Sequence, residues 1–300
     1  MSALVLWPSA LGLSFFAAGL WTFRDELFGQ TSPGESKILS LAPVFIAAPL
    51  ATFAGEHFTA TQDLARLVPK WLPGRVPITY FVGGALIAAA LSFVARRSMQ
   101  WSAPLLSLMF ALFVLMLHLP NAIANAGTRI FWVFPFRESE FALGALSVFV
   151  YESPDSWVNQ SGRFALIARL WTAITIIYFG SQNLLYPQYS PGVPDQRPTS
   201  AWVPAPLFVA YLTGAILVAL GTAMLSKRAA VVAVTSVGIF MTLLTIALFG
   251  PDLFLARGVP QQVEAINFVA DTLLFAGTMF AVARVIAVPV PEPTTEFVPA

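Results

Sequence analysis

The stretch Phe53–Pro73, FAGEHFTATQDLARLVPKWLP, closes an apolar run with Gly55-Glu56-His57-Phe58 and crosses a polar loop. It then reaches Trp71-Leu72-Pro73 just before the next apolar run. A diverged version follows about 130 residues later, so the stretch marks a repeated unit rather than an isolated motif.

The runs that flank this stretch set the fold class. The chain is 57% hydrophobic and 10% charged, where a soluble domain carries about 25% charged residues. Nine apolar segments can be marked, at about 3–23, 39–58, 77–95, 102–119, 138–151, 170–186, 205–226, 229–249 and 264–286. Most approach the roughly 20 residues that cross a bilayer as a helix, and nearly all charge falls between them. The expected fold is an all-α polytopic membrane protein of about nine transmembrane helices. The fifth segment is short, and spans only if the Phe-rich approach Ile130–Phe136 or the turn after Glu152 adds to it. Beyond Pro289, the tail is too rich in proline for helix and is expected to be extended.

Met1–Phe23 has no Lys or Arg ahead of its apolar run, so it reads as a retained first helix rather than a cleavable signal. A net charge of +1 without any basic run argues against a nucleic-acid partner. With no cysteine, the chain has no thiolate ligand for a metal and no thiol–disulfide chemistry. The tight loops Arg96-Arg97 and Lys227-Arg228 lie at helix ends, where positive charge favours the cytoplasm. That places the protein in the cell membrane with its N-terminus outside, its C-terminus inside and its longer loops outside.

A gapless comparison of 68–150 with 199–281 matches 14 of 83 positions, where chance gives about six. Trp71 meets Trp202, Pro73 meets Pro204, Tyr80 meets Tyr211, Gly83 meets Gly214, Arg97 meets Arg228 and Pro120 meets Pro251. Asn121 meets Asp252, and Glu140 meets Asp271. Upstream, Gly55 aligns with Gly180 after a six-residue shift, so that Glu56-His57 faces Ser181-Gln182. The domain reading follows: 1–38 an extra N-terminal helix and loop, 39–163 one four-helix repeat, 164–288 a second and diverged repeat, 289–300 the tail. An even helix count returns the chain to its starting side, so the two repeats run parallel, about an axis along the membrane normal.

The pattern G-x-x-H-F, V-P-x-W-L-P, a Tyr and Gly opening the next helix, a basic doublet and H-x-P-N resembles the DoxX-like family of membrane proteins. It is carried by Gly55, His57, Phe58, Val68, Pro69, Trp71, Leu72, Pro73, Tyr80, Gly83, Arg96, Arg97, His118, Pro120 and Asn121. The first repeat carries the closer match. This resemblance implies a four-helix bundle and an accessory or partner subunit in quinone-linked membrane redox chemistry. It implies a redox-enzyme partner, with quinone as the cofactor class. The family often carries a Glu shortly after the glycine of its second helix; here Gly83 and Gly214 are followed by small and aliphatic residues.

The topology collects polar residues at one level, as a cup open toward the outer leaflet. Glu56, His57 and His118 end helices there, Glu138 and Glu140 open one, and Asp271 lies within an apolar helix. His57 and Glu140 are the candidate proton-handling pair, with Glu56 and His118 nearby. A plain role for either histidine is an amphipathic side chain at headgroup level. An acid such as Asp271 inside an apolar helix costs about 2.5–3.5 kcal/mol, so it must be paired, protonated or turned to a polar cavity. An interhelical hydrogen bond to Thr, Tyr or Gln would also satisfy it. Trp71, Trp101, Trp132, Trp157 and Trp202 fall at the expected interfaces as anchors. Trp71 also sits in a proline-bounded loop that lids the cup, and with Asn121 it is the candidate cofactor contact. No metal site is expected from two histidines 61 residues apart. No Walker loop, HExxH or Gly-rich dinucleotide loop is present, so an alternative is a non-enzymatic module binding lipid or small hydrophobic molecules for transport, tolerance or assembly.

Overall fold

A computed structural model describes residues 2–29, 36–153 and 163–287. Its elements are helices: α1 (Ala3–Thr22), α2 (Lys37–Thr59), α3 (Arg75–Ala95), α4 (Met99–Ala124), α5 (Arg129–Glu152), α6 (Arg163–Leu185), α7 (Pro206–Ala223), α8 (Ala230–Leu255) and α9 (Val259–Ala287). Eight of these are long and apolar enough to cross a membrane. The chain is an all-α polytopic membrane protein. The ninth long helix, α5, has 24 residues and carries Arg137, Glu138 and Glu140 in its first half. It begins at Arg129, so the Phe-rich approach belongs to the helix and the fifth segment is long after all. The proline-rich tail and Trp157 lie outside the described residues.

Membrane burial explains the residue types. Lipid offers no hydrophobic drive for helix association, so contact depends on close packing of small side chains. α2 accordingly buries Ala42, Ala47, Ala48, Ala51, Ala54 and Gly55. α9 is buried almost continuously from Leu274 to Ala283. Large apolar side chains such as Leu13, Phe81, Leu105, Leu115 and Ile246 point outward, where lipid solvates them. α2 and α9 form the centre. α1 and α3 flank α2, α5 and α8 flank α9, and α4 packs on α5 as α7 packs on α6.

Two glycines show how tight the centre is. A methyl at Gly277 of α9 would stand 2.9 Å from the backbone of Phe45 and Ile46 in α2. A methyl at Gly83 of α3 would stand 2.8 Å from the Cβ of His57, whereas its neighbour Gly84 faces open space. Close approach of α2 and α3 therefore rests on Gly83 and not on the Gly-Gly pair.

Several local features recur at the 131-residue spacing. Helical segments Met99–Phe113 and Ala230–Leu244 are each followed by one π-turn, Val114–His118 and Thr245–Phe249. Short α-turns Leu119–Ala124 and Gly250–Leu255 then end α4 and α8. The cause is in the sequence: Pro120 and Pro251 lack an N–H, and their rings press on the carbonyl four residues back. Widening the preceding turn relieves that contact. Gly74 and Ala205, at the same spacing, both enter the following helix with left-handed backbone, φ 68° and 46°.

The α3–α4 and α7–α8 turns lie at one end, and the α2–α3, α4–α5, α6–α7 and α8–α9 connections lie at the other. At the end with short connections, Arg96 pairs with Glu26 and Arg284 pairs with Glu152 at 3.8 Å. The other end carries the long α2–α3 and α6–α7 loops. There Asn183 of α6 pins the second loop by exchanging hydrogen bonds with Gly192, donating at 2.9 Å and accepting at 3.1 Å.

Candidate functional site

The long-loop end contains a cleft of about 490 Å³ lined by Asp195, Pro260, Gln261, Val263, Glu264, Asn267, Phe268 and Asp271. Its floor is Asp271, about 18 Å along α9 from Val259 at the helical rise. Arg137 of α5 reaches across to donate to Asp271 Oδ2 at 2.8 Å. A second nitrogen of the same guanidinium donates to Glu138 Oε1 at 3.0 Å. All three side chains are largely buried, at 18%, 21% and 10% exposure. Burying such charges is costly unless each finds its partner, and here the fork of one arginine serves two carboxylates.

Glu56 joins the floor from α2. The Asn267 amide, oriented with its nitrogen toward Glu56, donates to both carboxylate oxygens at 2.7 and 2.9 Å. His118, the last residue of the α4 π-turn, stacks on Phe134 with ring centres 5.5 Å apart. Arg137 lies 5.2 Å from the centre of that same ring. Four helices thus contribute to one cluster holding one guanidinium and three carboxyl groups, Glu56, Glu138 and Asp271.

The rim is built from the α6–α7 loop and α8. Arg197 ion-pairs with Asp252 at 3.2 Å and lies 3.7 Å from Glu264. Asp252 also accepts from Ser200 at 2.7 Å and from Trp202 Nε1 at 2.8 Å. These two hydrogen bonds and two ion pairs clamp the loop over the top of α8 and α9.

Of the residues expected from sequence, Glu56 and Asp271 meet at the floor, and His118 lies one ring away from Arg137. His57 turns aside: its Nδ1 is 2.7 Å from the Phe53 carbonyl on its own helix. Glu140 is fully buried and faces α6, where Thr172 donates to it at 3.1 Å. Among the described residues no hydrogen bond or ion pair joins His57 to Glu140. Trp71 is 68% exposed and Asn121 is exposed, away from the floor. Of the alternatives open to Asp271, the structure shows an ion pair, with Arg137, rather than a hydrogen bond to Thr, Tyr or Gln.

Arg137 and Asn267 are the residues sequence reasoning missed. Their signal was present, since Arg137-Glu138-Ser139-Glu140 is a charged run that a helix starting at Arg129 must carry into the bundle.

A second cleft, of about 400 Å³, lies between the same ends of α5 and α6 and is lined in part by Arg129, Trp132, Phe136, Tyr178, Gln182 and Tyr186. Phe136 sits between Trp171 and Tyr178, with ring centres at 5.5 and 4.5 Å. Those two α6 residues are seven apart, about 10.5 Å along a helix, which is room for one intervening ring. Arg129, Trp132 and Phe136 stand 131 residues before Pro260, Val263 and Asn267 of the first cleft.

Comparison with family models, curated proteins and solved structures found no match to this chain.

Proposed function

We propose that this protein is a partner subunit in quinone-linked membrane redox chemistry, holding a quinone head group in the acidic cleft. The observation that carries the reading is the pairing of donors and carboxyl groups on one floor. Arg137, whose Nε is buried without a partner, offers an N–H group to a quinone oxygen, and Glu56, held by the Asn267 amide, and Asp271 stand beside it to relay protons. Reduction of a quinone takes two electrons and two protons at its two oxygens. The electrons come from the redox partner, and the carboxyl groups pass the protons. A cleft of about 490 Å³ lies within the ordinary range for small-molecule sites, about 300–1,000 Å³. Intramembrane charge of this kind marks a functional site by default.

The DoxX-like resemblance supports the same reading. The matched π-turns, helix ends and left-handed caps support a tandem, parallel duplication. The cleft then opens toward the outer leaflet, because the Arg96-Arg97 and Lys227-Arg228 connections favour the cytoplasm. Because the chain lacks cysteine, orientation is testable with single introduced thiols. In intact cells a membrane-impermeant maleimide should label Gln196→Cys and not Arg97→Cys.

The functional test uses purified protein in nanodiscs with a short-chain ubiquinone or menaquinone analogue, then with its redox partner. Wild type should bind the quinone and raise its reduction. Asp271→Asn and Glu56→Gln should keep binding within about threefold yet lower reduction about a hundredfold or more, the usual range for losing a proton-transfer group. A protein that neither binds quinone nor changes its reduction overturns the reading.

A further inference from the structure

We propose that the cleft between α5 and α6 is a separate binding site for the head group of an anionic phospholipid bearing a hydroxyl, of the phosphatidylglycerol class. The proposal stands independently of the quinone reading, since the two clefts share no lining residue.

The cation comes first. Arg129 lines the cleft, and its guanidinium lies 4.7 and 4.8 Å from the ring centres of Tyr186 and Tyr189. It donates one hydrogen bond, to the backbone carbonyl of Asp195. Among the described residues no carboxylate lies within ion-pair distance of it, unlike Arg137 and Arg197 of the first cleft. An arginine fixed by two rings, with donors left over, is preorganised for a phosphate.

The acceptor comes second. Gln182 lines the same cleft, and its Oε1 is buried without any hydrogen-bond partner. Such an orphan is costly, about 1–3 kcal/mol, and turning the Gln182 amide into the cleft, onto a ligand hydroxyl, would satisfy it. A phosphodiester with a hydroxylated head supplies an anion for Arg129 and a donor for Gln182.

Placement supplies the third argument. Arg129 opens α5, and Tyr186 follows the end of α6, so the cleft lies at headgroup level with Trp132 beside it. Below it, α6 presents exposed Ile174, about 18 Å from Tyr186 at the helical rise and so within the same leaflet, as a wall for an acyl chain. No carboxyl group lines this cleft, so it lacks the proton-relay groups of the first and suits a resident anion instead.

Lipid retention by full-length protein, read by native mass spectrometry from mixed micelles, tests this. Wild type should retain phosphatidylglycerol about tenfold over phosphatidylcholine or phosphatidylethanolamine, the value of one charge-assisted hydrogen bond. Arg129→Gln should abolish that preference at unchanged helix content. Gln182→Leu should keep the preference for anionic lipid but lose a several-fold discrimination between phosphatidylglycerol and phosphatidylmethanol, which lacks the hydroxyl. Equal retention of the lipids by wild type, or an unchanged preference in both variants, overturns the proposal. Displacement of phosphatidylglycerol by excess inorganic phosphate would reassign the site to a soluble anion and overturn its lipid assignment.

Discussion

The two clefts occupy matching places, yet their chemistry is divided unequally. On the α2–α9 side the helices pack along their length, and the wall offers Asn267 and Asp271. On the α5–α6 side they part, and the matching positions hold Phe136 and Glu140. His118 and Arg137 in the first half correspond to Phe249 and Phe268 in the second, which stack with ring centres 5.1 Å apart. The charged arm of the first half therefore reaches the acid of the second, and the second half supplies an aromatic pair instead. A common helical scaffold fixes where clefts form. Side chains at a handful of positions decide which cleft is polar.

Removing Arg137 should have the largest effect on the polar cleft. Arg137→Leu leaves Asp271 and Glu138 buried without their cation, which should cost about 3–5 kcal/mol, measured by unfolding in detergent. The triple variant Arg137→Leu, Glu138→Gln, Asp271→Asn should recover more than half of that loss, because neutral groups no longer need the guanidinium. A triple variant as unstable as the single one would show that packing of the arginine stem, and not its charge, holds the floor together.

Next in size is the loop clamp. Asp252→Ala removes the acceptor for Ser200, Trp202 and Arg197 and should cost about 1.5–3 kcal/mol. Its counterpart Asn121 is exposed, so Asn121→Ala should stay within about 0.5 kcal/mol. Equal losses at the two sites would mean that the clamp contributes nothing particular to the second half.

Much of the fold was legible, and the misses have physical reasons. Apolar run length located the helices, because lipid requires it. The start of α5 was not legible, because Pro135 and the charged run Arg137–Glu140 resemble a loop until a partner helix is known to receive them. The need of Asp271 for a partner could be read from its apolar surroundings. The identity of that partner could not, since Arg137 lies 134 residues away on the misjudged helix. Trp71 and Asn121 looked equivalent to Trp202 and Asp252 by alignment. Only the second pair bonds, because Asp252 is a carboxylate that gathers two hydrogen-bond donors and the Arg197 cation while the Asn121 side chain stays in the open.

A smaller effect separates the centre from the periphery. Gly277→Ala presses a methyl against backbone atoms of α2 that cannot rotate away, so it should cost about 1–3 kcal/mol. Gly84→Ala meets nothing within 4 Å and should stabilise by up to about 1 kcal/mol through helix propensity. Destabilisation at both positions would mean that Gly84 faces a partner helix rather than lipid.

The smallest effect tests the matched geometry itself. Gly74 and Ala205 each stand one residue ahead of a helix with left-handed backbone, φ 68° ψ 44° and φ 46° ψ 58°. Glycine adopts that conformation freely, whereas a Cβ crowds the carbonyl and costs about 1–2 kcal/mol. Space is not the issue at Gly74, where an added methyl would meet only Pro77 Cγ at 3.9 Å. Gly74→Ala should therefore lose about 1 kcal/mol from backbone strain alone. Ala205→Gly should gain less than that, because glycine also frees the unfolded chain. Opposite signs at two positions 131 residues apart would tie both caps to one backbone geometry. Shifts of the same sign would show that alanine at 205 is held by its surroundings and that the two caps only look alike.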